Sequence, residues 1–454
     1  MHKHRNLILS ERNFAMADNA RALAFRILKD AGRNATYSNI ALDRALTSSD
    51  LSDVDKGLVT AIVMGVTERQ LTLDHIIDKL AADAQKIDAD TRVLLRMGIY
   101  QLFCLDKIPD YAAVNESVNM ASRKSRGFVN AILRSFLRHR NGEGIETLFP
   151  NEKTDPIAYL SIFYSFPKDV CRRFLQIYGY GRAKKIFEIF NRPPKLTLRI
   201  NTLKISREKY AALLDESGIK YTLSDRLENA ILLDNVSFTA LPGFDEGLFF
   251  VQDEASQICV EALDARADML MIDACSCPGS KSFGSAIKMQ NTGKILSFDL
   301  HESKLKLIDK SAERLGIDVI TASVRDGRDF DEALEGQADR VLCDVPCSGL
   351  GVIAKKPEIR YKNIADFDRL PEIQLAILEN CSRYVKKGGV LVYSTCTVLP
   401  EENEENVAKF LSSHPEFEPC DFEVGDVKSE RGMLSLSPDR DGTDGFFVSK
   451  FTRK

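Results

Sequence analysis

Gly389-Val390-Leu391-Val392-Tyr393-Ser394-Thr395-Cys396-Thr397-Val398-Leu399-Pro400-Glu401-Glu402-Asn403 decides the fold class. Its first five residues form an apolar β-like run, and a helix-forming run starts at Glu401. Open α/β sheets place reactive groups at the carboxyl ends of buried strands, as Cys396 is placed here. Two other stretches repeat the arrangement. Val341-Leu342-Cys343 runs into Asp344-Val345-Pro346-Cys347-Ser348-Gly349, and Met269-Leu270-Met271-Ile272 runs into Asp273-Ala274-Cys275-Ser276-Cys277-Pro278-Gly279-Ser280-Lys281. Three strand ends with such turns read as one active site.

Around these stretches, strands alternate with helical or turn segments from Ala267 onward: 269–272, 294–299, 318–322, 338–344 and 389–393. That alternation predicts a mostly parallel, doubly wound sheet with right-handed crossovers. Residues 445–451 add a last strand with apolar alternation. Upstream, 196–203 reads as a strand entered through Pro193-Pro194. A helix over 206–217 and strands near Tyr221 and Ala230–Leu233 complete a small α+β unit. Residues 141–155 have the composition of a linker.

From Arg21 to Arg140 the pattern is helical throughout. Leu58, Ile62, Val63, Val66 and Leu71 recur at core-facing spacing, as do Leu94, Leu95, Ile99, Tyr100, Leu102 and Phe103, which predicts an all-α bundle. Asp18 or Asn19 would cap its first helix. The preceding segment has no helical period, and Met16 is expected to be the natural start. The resulting division is a disordered extension over 1–15, a helical domain over 16–145, a linker and small α+β module over 146–248, and a catalytic domain over 249–454.

Composition narrows the class. The 454 residues are 44% hydrophobic and 28% charged, with a net charge of −4, as in a globular chain of several domains. No apolar run approaches the ~20 residues of a membrane span, and the stretch Leu7-Ile8-Leu9 is too short for a signal-peptide core. A cytoplasmic location is expected. Ten cysteines and six histidines show neither disulfide-framework nor zinc spacing, so no metal is expected. Net charge favours no nucleic acid, but residues 121–140 hold Arg123, Lys124, Arg126, Arg134, Arg138 and Arg140 with no acid. Such a stretch suits a phosphate backbone or, equally, a solvated helix face.

The strand ends suggest the chemistry. The 273–281 turn lacks the dinucleotide and P-loop patterns, yet a Pro-Gly-Ser turn into a helix presents backbone N–H groups to a ligand. Asp299, ending the second strand, is placed for the two ribose hydroxyls of an adenosyl group, and Asp326 for an adenine edge. Each carboxylate alone is more often a cap or turn residue, but three at successive strand ends point to S-adenosylmethionine. Methylation at carbon 5 of cytosine needs a thiolate to add at carbon 6 and a base to remove the carbon-5 proton. Cys396 and Cys347, on strands expected to be adjacent, meet that need. Asp344 could polarise the base or contact the cofactor. Lys355, Lys356, Arg360 and Lys362 are candidates for substrate phosphates or for a solvated loop. Cys104, Cys171, Cys259, Cys343 and Cys381 read as small buried hydrophobes.

Several segments also resemble known families. Arg96–Leu102, Ile108-Pro109, Ala113–Glu116 and Gly127-Phe128-Val129-Asn130-Ala131-Ile132-Leu133-Arg134 are similar to the bundle of the antitermination factor NusB, which implies RNA binding. Asn130 and Arg134 lie one turn apart and can face one partner. Arg199-Ile200-Asn201 and Phe249–Gln257 resemble the amino-terminal and Gln-Asp segments of RNA cytosine methyltransferases. Asp273–Lys281, Arg325-Asp326-Gly327-Arg328, Asp344–Gly351 and Ser394–Asn403 closely resemble the Sun or Fmu (RsmB-type) family, in its bacterial 16S (small-subunit) rRNA branch.

That resemblance implies a Rossmann-like S-adenosyl-L-methionine-dependent domain acting as an rRNA (cytosine-5-)-methyltransferase. It implies Cys396 as nucleophile and Cys347 as the release cysteine. Cofactor contacts would come from Cys275, Ser276, Cys277, Pro278, Gly279, Ser280, Lys281, Asp299, Asp326 and Asp344. RNA contacts would come from Asn130, Arg134, Arg199 and Asn201, with Lys355, Lys356 and Arg360 from the loop. Naked small-subunit rRNA is the implied partner and a monomer is expected. The same reaction on tRNA, or a non-catalytic RNA-binding factor, are the alternatives. Ser280 departs from the family, which usually has a glycine there; glycine suits a positive φ or a close backbone approach.

Overall fold

The computed structural model describes residues 19–34, 38–234 and 238–454. Residues 1–15 and the expected start at Met16 lie outside the described residues. The chain divides into two compact units, one ending at Lys184 and one running from Lys185 to Lys454.

The first unit is helical. It contains α1 (Ala20–Asn34), α2 (Ser38–Thr47), α3 (Asp53–Glu68), α4 (Gln70–Leu80), α5 (Ala89–Cys104), α6 (Asp110–Met120), α7 (Arg126–Arg138) and α8 (Pro156–Tyr164). Helix α9 (Lys168–Phe190) follows, broken at Gly179, whose φ of 71° and ψ of 168° are non-helical. Local chemistry sets the starts. Asn19 Oδ1 accepts from the Ala22 amide at 2.8 Å, and Ser52 and Asp88 accept the amides of Asp55 and Thr91. The expected stripe is buried: Ile62, Val63 and Val66 share a core with Leu94, Leu95, Ile99, Leu102 and Leu133, and Leu58 packs at its margin. Leu71 is half-buried. No helix among the described residues is long and apolar enough to cross a membrane.

The second unit opens with a small antiparallel sheet. Strands β1 (Leu196–Ile200), β2 (Tyr221–Leu223), β3 (Ala230–Leu233) and β4 (Phe249–Val251) lie in the order β2-β3-β1-β4, and α10 (Arg207–Glu216) packs on them through Tyr210 and Leu214. After α11 (Glu254–Leu263) comes the large sheet. Its elements are β5 (Leu270–Asp273), α12 (Ser280–Lys288), β6 (Lys294–Asp299), α13 (Glu302–Leu315), β7 (Ile320–Val324), β8 (Ala338–Asp344), α14 (Leu370–Ser382), β9 (Val385–Thr395), α15 (Glu404–Ser413) and β10 (Phe417–Pro419). A short hairpin, β11 (Glu423–Val424) and β12 (Val427–Lys428), precedes β13 (Met433–Leu436), α16 (Pro438–Asp441) and β14 (Phe446–Arg453).

The order is β10-β14-β9-β8-β5-β6-β7, with β13 also on β14. Strands β5 to β9 pair in parallel, and β14 joins β9 antiparallel. Period-two alternation buries both faces. Met271, Leu342 and Val392 face a core with Ile258, Phe283 and Ile308, while Ile272, Val341 and Leu391 face one with Ile377, Leu378 and Phe410. Strand order reverses between β5 and β8, the topological switch point where such sheets open a ligand crevice.

Two local departures matter for the site. The helix expected from Glu401 begins at Glu404 instead. Turn hydrogen bonds from the Glu402 and Asn403 amides to Leu399 and Pro400 delay it, and both side chains turn inward. The positive φ in the 275–281 turn falls on Gly279 (102°), and Ser280 is the first helical residue of α12. A Cβ at 279 would stand 2.5 Å from the Phe283 ring, whereas Ser280 needs no glycine-like conformation.

Candidate active site

The β8–β9 register pairs Cys343 with Tyr393 and Asp344 with Ser394, so the two loops leave the sheet side by side. This brings Cys347 Sγ and Cys396 Sγ to 3.3 Å. Both thiols are half-buried. The hydrogen bond donated by Cys347 holds Cys396 below the ordinary thiol range. Burial and Asp344 oppose this, while Lys281 and Lys356 support it. The same hydrogen bond, with burial, pushes Cys347 well above that range. The two sulfurs therefore differ: Cys396 is the readier thiolate and Cys347 the donor. In Cys347→Ala the alkylation of Cys396 by iodoacetamide, located by peptide mass, should show its pH midpoint moved upward, because the donor is gone. An unchanged or lowered midpoint contradicts this assignment of donor and acceptor.

Behind the thiols lies an ion pair. Lys281 Nζ is 2.6 Å from Asp344 Oδ2, and Ser394 Oγ donates to Asp344 Oδ1 at 2.8 Å. These contacts join the ends of β5, β8 and β9 into one cluster. Ser282 Oγ donates to Asp273 Oδ2 at 2.6 Å, and burial pushes the Asp273 carboxyl up to about 7. The 275–281 turn, with a cis Cys277–Pro278 peptide, leads into the N-terminus of α12. The first N–H groups of a helix have no partner within it. Asp299 follows at the next strand end, where Oδ1 accepts the His301 amide at 2.9 Å. Asp326 lies beyond β7 and its two oxygens take a guanidinium fork from Arg328. The amide donors and the carboxylates of Asp299 and Asp326 fit an adenosyl cofactor. Among the described residues no group of three or more His, Cys, Asp or Glu side chains could hold a metal.

Four expected RNA contacts are corrected. Arg199 is 2% exposed, and Asn201 and Arg360 are 0% exposed. Arg199 pairs with Glu261 at 2.9 Å and donates to Gln252 Oε1, while Gln252 Nε2 donates to the Ser280 carbonyl at 2.9 Å. Arg199 thus braces the 275–281 turn through Gln252. Asn201 Nδ2 ties the Gly247 and Leu315 carbonyls together, and Arg360 donates to Asn191 Oδ1. Lys355 is committed to Asp253 and Asp444. Lys356 and Lys362 are exposed. Sequence reasoning missed Gln252, Gln374, Glu402 and Asn403 as builders of the site. For Gln252 the available signal was a polar residue directly after an apolar strand, where an unpaired buried amide is costly; Gln374, within α14, and Glu402 and Asn403 carried no such local signal.

In the first unit, Arg134 Nε donates to Asn130 Oδ1 at 3.0 Å, so the two share one face of α7. Arg123, Lys124, Arg126, Arg134 and Arg138 are exposed, as is Phe128. Arg140 instead pairs with Asp110.

Comparison with known proteins bears on this geometry. Residues 260–452 match the family model described as 16S rRNA methyltransferase RsmB/F, and residues 18–138 match that of the NusB family. Residues 166–238 match the ferredoxin-like domain of RsmF/B-like methyltransferases. The protein named "Probable ribosomal RNA small subunit methyltransferase B" of Bacillus subtilis is 38% identical over 447 residues, covering 96% of this chain and 98% of that one. The chain belongs to the RsmB/F family. Its architecture is a NusB-like helical domain, a small ferredoxin-like α+β module and a Rossmann-like methyltransferase domain, and its class is that of an rRNA methyltransferase. The RsmB/F relative of Proteus mirabilis named ribosomal RNA small subunit methyltransferase B is 32% identical, covering 89% of this chain and 92% of that one. The solved structure of a methyltransferase homolog protein from Pyrococcus horikoshii superimposes with a TM-score of 0.58 at 27% identity, covering 66% of this RsmB/F chain and 99% of that one.

Proposed function

We propose that this chain methylates carbon 5 of one cytosine in 16S rRNA, in the cytoplasm, through a covalent cysteine–cytosine adduct with S-adenosyl-L-methionine as cofactor. The observation that carries the reading is the pair of unlike thiols 3.3 Å apart at adjacent parallel strand ends. Cys396 adds as thiolate to carbon 6, which makes carbon 5 nucleophilic. Asp344, oriented by Lys281 and Ser394, accepts a hydrogen bond from the exocyclic amine and fixes the ring. Once carbon 5 is methylated, Cys347 takes its proton and the electron pair expels Cys396. Cys347 begins that step as a thiol and must first lose its own proton to solvent, because Cys396 is then bonded to carbon 6.

The turn Cys275-Ser276-Cys277-Pro278-Gly279-Ser280-Lys281 would hold the cofactor, with Asp299 on the ribose and Asp326 at the adenine edge. When bound, the cofactor supplies the transferable methyl group. The target base must be unpaired or flipped out to reach the thiols. The exposed cations of 123–138, with Asn130, and the loop residues Lys356 and Lys362 are proposed to follow the phosphate backbone. Functionally the parts are then the RNA-binding bundle over 16–145, the module over 146–248 and the catalytic domain over 249–454, acting as a monomer.

Full-length protein incubated with methyl-labelled S-adenosyl-L-methionine and protein-free 16S rRNA should yield labelled 5-methylcytosine on nucleoside digestion, with no label in tRNA. Label in tRNA alone would move the substrate. Label in neither RNA would contradict the function.

A further inference from the structure

The two thiols are held by two consecutive side chains. Asn403 is 3% exposed, and its amide spans the residues on either side of Cys396: Oδ1 accepts from Thr395 Oγ1 at 2.6 Å, and Nδ2 donates to the Thr397 carbonyl at 3.2 Å. Glu402 is fully buried and acts with Gln374 on the other loop. Glu402 Oε2 accepts from the Ser348 amide at 3.0 Å and from Gln374 Nε2 at 2.7 Å, and the same Gln374 Nε2 donates to the Pro346 carbonyl at 2.9 Å. Pro346 and Ser348 flank Cys347. Asn406 Nδ2 donates to Gln374 Oε1 at 3.2 Å, which sets the direction of that amide.

The clamp is itself anchored. Tyr393 OH donates to the Glu402 carbonyl at 2.6 Å, and Ser348 Oγ and Thr397 Oγ1 meet at 2.6 Å between the loops. Burial raises the Glu402 carboxyl above its ordinary range. No solvent reaches this side chain to replace a lost hydrogen bond, so its geometry is set by the protein.

We propose that Glu402 and Asn403 are positioning residues that fix the Cys347–Cys396 spacing, one side chain bracketing each cysteine. Because they are adjacent in the chain, a shift of one loop is carried to the other, and both thiols stay on one target ring. The proposal rests on the reaction proposed above for its purpose, though its geometry is testable apart from that reaction. Misplacement by about 1 Å is enough to cost roughly 100-fold in a positioned reaction.

The test needs no RNA. Diamide oxidises neighbouring thiols to a disulfide only when they meet, so its rate of forming the Cys347–Cys396 crosslink reads their spacing. Asn403→Ala and Glu402→Ala should slow this crosslink by about 10-fold or more. Glu402→Gln, which keeps an acceptor oxygen and the volume, should recover most of the rate. Thermal midpoints measured alongside identify any variant that does not fold. Gln374→Met, which removes the ties to Pro346 and Glu402 together with the bonds accepted from Asn406 and Tyr393, then replaces Glu402→Ala, and Asn403→Asp, isosteric but unable to donate to Thr397, replaces Asn403→Ala.

With 16S rRNA and cofactor, the two sides should separate. Asn403 variants should slow formation of covalent RNA–protein complex, and Glu402→Ala should let that complex accumulate by slowing release. A wild-type crosslinking rate in folded variants at both positions would overturn the proposal, whatever the enzyme does to RNA. Slowed crosslinking in a protein whose wild type methylates no RNA would uphold the clamp and reject the reaction.

Discussion

Cys396→Ala should abolish methyl transfer to 16S rRNA, by about 10⁴-fold or more, while cofactor binding is retained. The asymmetry of the thiols is the reason. Cys396 accepts the hydrogen bond from Cys347 and lies within the influence of Lys281 and Lys356, whereas Cys347 is raised by the same contact. Without Cys396, Cys347 loses its acceptor but remains flanked by buried Glu402, a poor setting for a thiolate. The loss should therefore not be compensated by attack from the second cysteine. Label incorporation from methyl-labelled cofactor and calorimetric binding of that cofactor separate the two effects. Turnover above background in the folded variant would reject Cys396 as nucleophile.

The second large effect is on stability. Arg199→Ala should lower unfolding free energy by about 3 kcal/mol, because it removes one partner of a buried charge pair and opens a cavity. Arg199 sits between Glu261 and Gln252, and a Cβ on Gly284 would already be 2.9 Å from Arg199 Nη1, so the guanidinium fills its space tightly. Lys288 also contacts Glu261 and keeps that carboxylate partly compensated. Gln252 loses its donor and with it the brace on the Ser280 carbonyl. Cofactor affinity should fall along with the denaturation midpoint, while RNA binding should change little. If Arg199 instead faced RNA, affinity for RNA and its salt dependence would fall at unchanged stability.

This residue also shows where the sequence stopped being legible. The alternation of Leu196, Leu198 and Ile200 places one apolar face of β1 and Arg199 on the opposite one, while the expected RNA contact of Arg199 rested on the resemblance of the Arg-x-Asn stretch. That face is covered too, because α11 and α12 pack against it through Glu261 and Gly284. Coverage of this kind is a tertiary fact with no local signature. Lys355 and Arg360 follow the same rule: a cation-rich loop looks solvated until its partners, distant in sequence, are known.

The strand ends were legible for the opposite reason. A continuous apolar run stopped by Asp-Val-Pro-Cys or Ser-Thr-Cys-Thr is a local signal, and parallel pairing of β8 with β9 then fixes the thiols side by side. Glu402 and Asn403 fell between these cases. Pro400-Glu401-Glu402-Asn403 has the composition of a helix start, and only the inward turn of two side chains reveals the clamp. Ser280 was legible as a departure, but its consequence depended on Gly279 carrying the positive φ.

The most direct measurement uses Cys347→Ala with 16S rRNA transcript and S-adenosyl-L-methionine on a denaturing gel. A methylated adduct that cannot lose its carbon-5 proton should remain attached, giving a protein band shifted by covalent RNA. That band should vanish in the Cys347→Ala, Cys396→Ala double variant. Its absence from the single variant with rRNA and tRNA alike, or its persistence without Cys396, would contradict the two-thiol mechanism.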